Sequence, residues 1–180
     1  MQIFSKNIGF NDWGEIYLGL KKGWITRSDL FAFCQKGYVI PCGEDRLAAL
    51  YLAEDESFYQ LIKQILGFIS EARQPLIDTH AEEFDNPIHL RDIPQQYARL
   101  WQLEFLLRTD QQPLSAKDKM WALNNLWSDF GYPEAWRPFQ ILTDFPDIGS
   151  EQRIEALYKE YQSYLGAEVA ALEVSHKIIT

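Results

Sequence analysis

Apolar side chains recur along this chain every three to four residues, and no window alternates apolar and polar positions long enough to indicate a β-sheet. Because an α-helix turns once in about 3.6 residues, this spacing gathers the apolar side chains on one face of each helix. The pattern predicts an all-α fold, a compact single-domain bundle of about seven helices with short loops. A length of 180 residues fits one domain, so we expect residues 1–180 to form a single helical domain.

The first two predicted helices form a hairpin over residues 11–37. Asn11 or Asp12 can cap the first helix, and Gly23 ends it. The second helix begins near Thr26, where an acidic residue three positions later gives the spacing of a capping box.

The remaining helices are predicted from the same spacing. Ser115 and Ser150 are expected to be N-caps, and Pro133 opens a short helix. Prolines and acidic residues interrupt the pattern over residues 74–92, which we predict to be an irregular acidic loop. The other predicted helices cover residues 44–53, 55–72, 92–108, 115–130 and, at the C-terminus, 150–172.

The charge balance narrows the choice of partners. The chain has 17 Lys and Arg against 26 Asp and Glu, a formal net charge of −9, and its last third holds four basic and nine acidic side chains. A nucleic-acid backbone would be repelled, whereas a basic protein would be attracted. No apolar run approaches the roughly 18 residues of a membrane span, and the first residues do not resemble a secretion signal. We therefore expect a cytoplasmic protein that binds neither nucleic acid nor membrane.

The best enzymatic candidate is the loop from Asp78 to His89, which contains two histidines and several carboxylates. Imidazole and carboxylate groups can bind a transition metal or transfer protons, so one alternative is a metal-assisted hydrolase that uses His80, Glu82, Glu83 and His89. However, the two histidines do not have the spacing of His-Glu-x-x-His, which places both on one helix face. We therefore predict a solvated acidic loop, no catalytic residues, no bound metal and no cofactor.

Other residues that could suggest chemistry are expected to be structural. Cys34 lies in an apolar helical run and is predicted to be buried, whereas Cys42 follows a proline and is predicted to be exposed. Their spacing matches no common zinc site, and whether they pair is open. Gly14 and Gly19 are expected to allow close helix packing, since no Gly-x-Gly-x-x-Gly motif is present. No role is expected for His176, near the C-terminus.

Three tryptophans, Trp121, Trp127 and Trp136, lie within one short stretch. At 3.6 residues per helical turn, Trp121 and Trp127 cannot share one narrow stripe. The apolar residues between them can form the core line while one tryptophan lies at its edge. An edge tryptophan beside carboxylates is typical of an interface anchor with a polar rim. The alternative is that all three tryptophans pack in the core.

Two segments, residues 11–25 and 126–139, resemble a bacterial family of small uncharacterised helical proteins. That family is found among the immunity proteins of polymorphic-toxin and contact-dependent growth-inhibition systems. The most typical part is Asp129-Phe-Gly-Tyr-Pro-Glu134, ahead of an aromatic helix. The chain departs from the family pattern at residues 143–146, where an aromatic-Met-Pro ending is expected.

The resemblance implies an immunity protein that binds a cognate toxin domain of the nuclease class and masks its active or essential surface. Such toxins often have basic clefts, which an acidic partner complements. An adaptor module of a protein complex is the alternative, and the oligomeric state is open. The hypothetical toxin-binding residues are Asp129, Glu134, Asp144, Asp147 and Glu151 as an acidic rim, with Trp136 as the anchor.

Overall fold

The computed structural model describes residues 1–39, 42–69, 95–141 and 150–176. The regular structure in these ranges is helical. The predicted all-α fold is confirmed. In these ranges the β-structure consists of one isolated bridge between Phe10 and Val39. The α-helices are α1 (Trp13–Lys21), α2 (Arg27–Gln35), α3 (Glu44–Leu52), α4 (Asp55–Ile69), α5 (Gln95–Asp110), α6 (Ala116–Asp129) and α7 (Glu151–Ser175), and the short 3-10 helices are η1 (Ile3–Lys6) and η2 (Glu134–Phe139).

Four helix starts follow from polar side chains that accept hydrogen bonds from backbone N–H groups which would otherwise lack partners. Asp12 caps α1 by accepting from the backbone N–H of the second residue of the helix, at 2.7 Å. Thr26 and its acidic partner at the third helical position form the predicted capping box of α2. Ser115 and Ser150 cap α6 and α7 in the same way. The predicted caps of these helices are therefore confirmed.

Helix α5 forms the centre of the described structure and contacts η1, α1, α6 and α7. Two contacts show that α7 runs antiparallel to it. The hydroxyl of Tyr161 donates to the carbonyl of Leu106 at 2.8 Å, and Arg99, nearer the start of α5, pairs with Glu168, nearer the end of α7. A short turn connects α5 to α6, which doubles back beside it, so α6 and α7 point the same way.

Two glycines set the close approach of α1 to α5. A Cβ atom on Gly14 would fall well inside van der Waals contact with the ring of Tyr97, and one on Gly19 would overlap the indole of Trp101. The indole N–H of Trp101 donates to the carbonyl of Glu15 at 2.9 Å. This hydrogen bond holds α1 and α5 at a distance that only glycine at position 19 permits. The predicted packing role of these glycines is confirmed.

A buried carboxylate holds the chain's first residues against α5. Glu104 is fully buried and accepts hydrogen bonds from the backbone N–H groups of Gln2 and Ile3, at 3.1 and 2.9 Å. Arg108 donates to the same carboxylate at 2.7 Å. A negative charge at the start of the short helix η1 is favourable because the exposed N–H groups there carry partial positive charge.

The last helix is tied to the first by a second buried carboxylate. Glu15 lies 2.7 Å from Nε2 of His176, and the backbone N–H of Asn11 donates to the other oxygen of Glu15. The side chain of Asn11 also donates to the carbonyl of Ser175. Although His176 was expected to have no role, it is buried and joins residues at opposite ends of the chain.

Glu15→Gln is expected to change how stability depends on pH. Burial raises the pKa of Glu15 above its ordinary value of 4.5, and the contact with His176 opposes that rise only in part. A carboxyl whose pKa rises on folding stabilises the fold fully below pH 4.5. That stabilisation is lost as the pH climbs through the raised value. Relative to wild type, the variant should therefore gain stability from pH 4.5 upwards in urea unfolding.

Glu155→Gln, on the exposed face of α7, is the matched control and should show no such trend. A stability difference between Glu15→Gln and wild type that is the same at every pH would contradict the raised pKa of Glu15.

Some predicted segments lie outside the described residues, and the predicted burial of the two cysteines is corrected by the structure. The acidic loop 74–92, with its four candidate metal ligands, lies outside the described residues, as do the predicted end of the fourth helix and the predicted start of the fifth. Both cysteines are free, but their environments are the reverse of those expected: Cys42 is buried and Cys34 is half-buried. The reason is local, because Cys34 lies at the edge of a surface groove whereas Cys42 packs against the core.

Candidate functional site

The turn after α6 has the geometry of a Schellman helix ending. The backbone N–H of Tyr132 donates to the carbonyl of Trp127 at 2.7 Å, and that of Gly131 donates to Ser128 at 3.1 Å. Gly131 has a φ of +72°, the left-handed conformation that this ending needs and that glycine adopts without strain. The rings of Trp127 and Tyr132 then meet edge to face, with centroids 5.1 Å apart.

The next residue of the turn is unusual. Tyr132 has a φ of +61°, although a residue with a side chain rarely adopts that region and the residue before a proline favours extended backbone. Its side chain is nevertheless 60% exposed. The indole N–H of Trp127 donates to the carbonyl of Pro133 at 3.0 Å, which fixes the turn in this shape. The turn thus presents an aromatic ring to solvent from a strained backbone.

This ring stands at the edge of an open cavity of about 550 Å³, which we name the Tyr132 pocket. Its walls come from the turn, from α5 and from the second half of α7, three elements that the chain brings together from distant positions. Its polar lining side chains include Arg99, Tyr132, Glu134, Tyr164 and Glu168.

One wall of the Tyr132 pocket is a bidentate ion pair. Arg99 donates from Nε and Nη2 to the two carboxylate oxygens of Glu168, at 2.9 and 3.1 Å. These hydrogen bonds raise the pKa of Arg99. The two N–H groups of the planar guanidinium are spaced to bind both oxygens of one carboxylate. Burial, with the charge of Glu168 adding to it, raises the pKa of Tyr164 to about 12, so this tyrosine keeps its proton at neutral pH.

Trp136 is the floor of this region rather than an exposed anchor. It is fully buried, its indole N–H donates to the hydroxyl of Tyr164 at 3.2 Å, and its ring packs against those of Phe130 and Phe139. The placement of Trp136 at the surface is therefore wrong. The 3-10 helix η2 turns its indole inward, where burial of a large ring is most favourable.

The other two tryptophans show that the tryptophan stretch is divided between the core and the surface. Trp121 is 45% exposed, whereas Trp127 is half-buried and packs against Tyr132. The edge tryptophan is thus Trp121, on α6, rather than Trp136. Sequence reasoning missed Tyr132, although the Gly-Tyr-Pro sequence placed it directly after a helix-ending glycine.

The structure brings together part of the predicted acidic rim. Asp129 and Glu134 are both exposed and flank the turn. Glu151 is exposed at the start of α7, about 20 Å along the helix axis from Tyr164 at 1.5 Å per residue, so it belongs to another part of the surface. Asp144 and Asp147 lie outside the described residues.

Glu168 joins this region although it was not predicted, because only the antiparallel packing of α5 and α7 brings it there.

A different open groove lies between α2 and α3. It also has a volume of about 550 Å³, and its lining is apolar, with Phe31, Leu47, Tyr51 and Leu52 among its residues. Cys34 contributes to one wall, and burial raises the pKa of its thiol to about 11, so the thiol is neutral and unreactive at pH 7. The groove offers surface for contact but no chemistry.

Ser175, His176 and Glu15 meet at the end of α7 and have the residue types of a serine–histidine–acid catalytic triad. The resemblance is limited to the residue types. Ser175 lies 2.8 Å from Nδ1 of His176, whose other nitrogen meets Glu15. Neither the Tyr132 pocket nor the α2–α3 groove is lined by these residues. The contacts of Glu15 and Ser175 with Asn11 instead identify them as a tie between helices.

Two further properties concern the described residues as a whole. Within them, no three His, Cys, Asp or Glu side chains are grouped closely enough to hold a metal ion. None of their helices combines the length and apolar character needed to cross a lipid bilayer.

Residues 1–169 match a family of uncharacterised proteins conserved in bacteria, DUF2247. The chain belongs to this family. The match covers every wall of the Tyr132 pocket, since Glu168 is its last lining residue. The predicted membership of an uncharacterised bacterial family is confirmed. No curated protein and no solved structure matches this member of DUF2247.

Tyr132→Gly in this DUF2247 protein is expected to leave the free energy of unfolding within about 1 kcal/mol of wild type. Loss of the ring contact with Trp127 costs about 0.5–1.5 kcal/mol, and glycine relieves a backbone strain of about 1 kcal/mol at this φ. Urea unfolding at pH 7 tests the balance. Tyr132→Ala is the control, because it loses the ring and keeps the strain, so it should be the less stable of the two. Equal losses in both variants would contradict a strained Tyr132.

Proposed function

We propose that this protein is an immunity protein: it binds a cognate toxin domain of the nuclease class and masks the toxin's active or essential surface. The observation that carries the proposal is the exposed ring of Tyr132, held in a strained turn at the edge of a cavity whose lining includes three charged side chains. Residues held in strained backbone conformations cluster at functional sites, so the strain at Tyr132 favours a site at this turn. Exposed aromatic rings with a polar surround are typical of protein interfaces.

The sequence of this same turn supports the proposal. Asp129-Phe-Gly-Tyr-Pro-Glu134 is the segment that resembles immunity-type families, and it forms one edge of the Tyr132 pocket. The net charge of −9 favours a basic partner and speeds its association. In this proposal the protein acts in the cytoplasm, without a cofactor and without catalysis of its own.

A growth experiment tests the proposed function. The C-terminal domain of the protein encoded by the neighbouring gene would be expressed as the candidate toxin and induced in a sensitive cell. Co-expression of the wild-type chain is expected to restore growth, and the two purified proteins are expected to elute together at a defined ratio. Growth arrest that persists with the folded chain present would contradict the proposal. An adaptor module, the alternative, would leave growth arrest unchanged and co-purify with other proteins of a complex.

A further inference from the structure

We propose that the Tyr132 pocket receives an arginine side chain of the protein partner. This inference rests on the proposed function, because it names the chemical group by which the partner is recognised. It starts from the cavity, which is open to solvent and has a volume of about 550 Å³, enough for a long side chain.

The exposed groups at the pocket suit a planar cation. The ring of Tyr132 offers an aromatic face, on which a guanidinium can stack. The carboxylate of Glu134 lines the same cavity and is 81% exposed, so it can accept two parallel hydrogen bonds from the same guanidinium. Its contact with Arg137 is a single 3.4 Å approach between exposed side chains, and a partner's arginine can replace it.

The charge already present in the pocket favours a cation over an anion. Arg99 is the cationic side chain of its lining, and two of its nitrogens are bound to Glu168. That pair is neutral as a unit, so Glu134 gives the lining residues one net negative charge, and Arg137, outside the lining, meets that charge only through the exposed 3.4 Å contact. A carboxylate or phosphate would be repelled by this charge and would meet an Arg99 whose Nε and Nη2 are already bound to Glu168.

Free side chains provide a direct test on the intact protein. N-acetyl-arginine amide would be titrated into the full ¹⁵N-labelled chain, with the lysine and glutamate analogues as comparisons. Two indole N–H groups report on the pocket: that of Trp127, bound to the carbonyl of Pro133, and that of Trp136, bound to the hydroxyl of Tyr164. The indole of Trp101, bound to the carbonyl of Glu15, is the internal control.

We expect the arginine analogue to shift the two reporter indoles saturably, with a dissociation constant of about 1 to 10 mM, as suits a ligand of this size. The lysine analogue should bind at least fivefold more weakly, and the glutamate analogue should not bind. Glu134→Gln and Tyr132→Gly should each weaken arginine binding at least fivefold. Indoles that do not shift, equal binding of lysine, binding of glutamate, or unchanged binding in both variants would each overturn the proposal.

The outcome is separable from that of the proposed function. A chain that protects cells from the toxin but does not bind the arginine analogue contradicts the arginine pocket alone. A chain that binds the arginine analogue at Tyr132 but neither binds the toxin nor protects against it contradicts the immunity function alone.

Discussion

Gly19→Ala is expected to remove about 3 kcal/mol or more from the free energy of unfolding, because a single added methyl group would meet a fixed, buried ring. The added Cβ would overlap the indole of Trp101, a side chain that is fully buried. That indole cannot turn away without breaking its hydrogen bond to the carbonyl of Glu15 and disturbing its contact with the ring of Trp24. Helices α1 and α5 would have to separate.

The measurement is urea unfolding followed by circular dichroism, with thermal unfolding as a second probe. For a domain of this size the loss corresponds to a midpoint lower by about 6–12 °C. Gly166→Ala is the matched control, because Gly166 lies inside α7 with open space where a Cβ would sit. It should gain about 0.5–1 kcal/mol, since alanine is the better helix former. Equal effects of the two substitutions would contradict the close packing of α1 on α5.

Trp136→Ala is expected to lower the free energy of unfolding by about 3–5 kcal/mol, the usual loss when a buried indole is truncated. The ring fills the space among Phe130, Phe139 and Tyr164, and its N–H is satisfied by the hydroxyl of Tyr164. Removing the indole leaves a cavity under the Tyr132 pocket, so the turn would lose its support. Any loss of binding in this variant should accompany the loss of stability.

Trp136→Phe separates packing from the hydrogen bond. It keeps an aromatic ring and should lose about 1–2 kcal/mol, from the smaller ring and the missing N–H donor. The two variants together decide the role of Trp136. A Trp136→Ala protein with wild-type stability and no partner binding would restore the exposed-anchor role and contradict its place in the core.

Local features of this fold could be predicted from the sequence because their physical causes lie within one helical turn. The caps at Asp12, Thr26, Ser115 and Ser150 each depend on a side chain and a backbone group two or three residues away. Helical geometry likewise separated Trp121 from Trp127, but it did not decide which tryptophan faces solvent, and in the structure that residue is Trp121.

The rest depends on residues far apart in the chain. Glu104 binds backbone groups 101 and 102 positions earlier, and His176 meets Glu15 across 161 positions. No local pattern indicates such partners. Trp136 was misplaced because its direction is set by the 3-10 helix η2 packing on α7, and Glu168 was missed because only tertiary packing brings it to the pocket.

The proposed immunity function requires this protein to bind a basic toxin domain through the turn beside the Tyr132 pocket. Calorimetric titration of that toxin domain into charge-reversed variants measures this binding. Asp129→Lys with Glu134→Lys reverses two exposed carboxylates at the turn. Glu151→Lys with Glu155→Lys makes the same change in net charge at the N-terminal end of α7, away from the pocket. The first pair should weaken binding at least a hundredfold, corresponding to about 3 kcal/mol, and the second pair less than threefold. Equal losses in both would assign the effect to net charge, and wild-type affinity in the first would contradict the site.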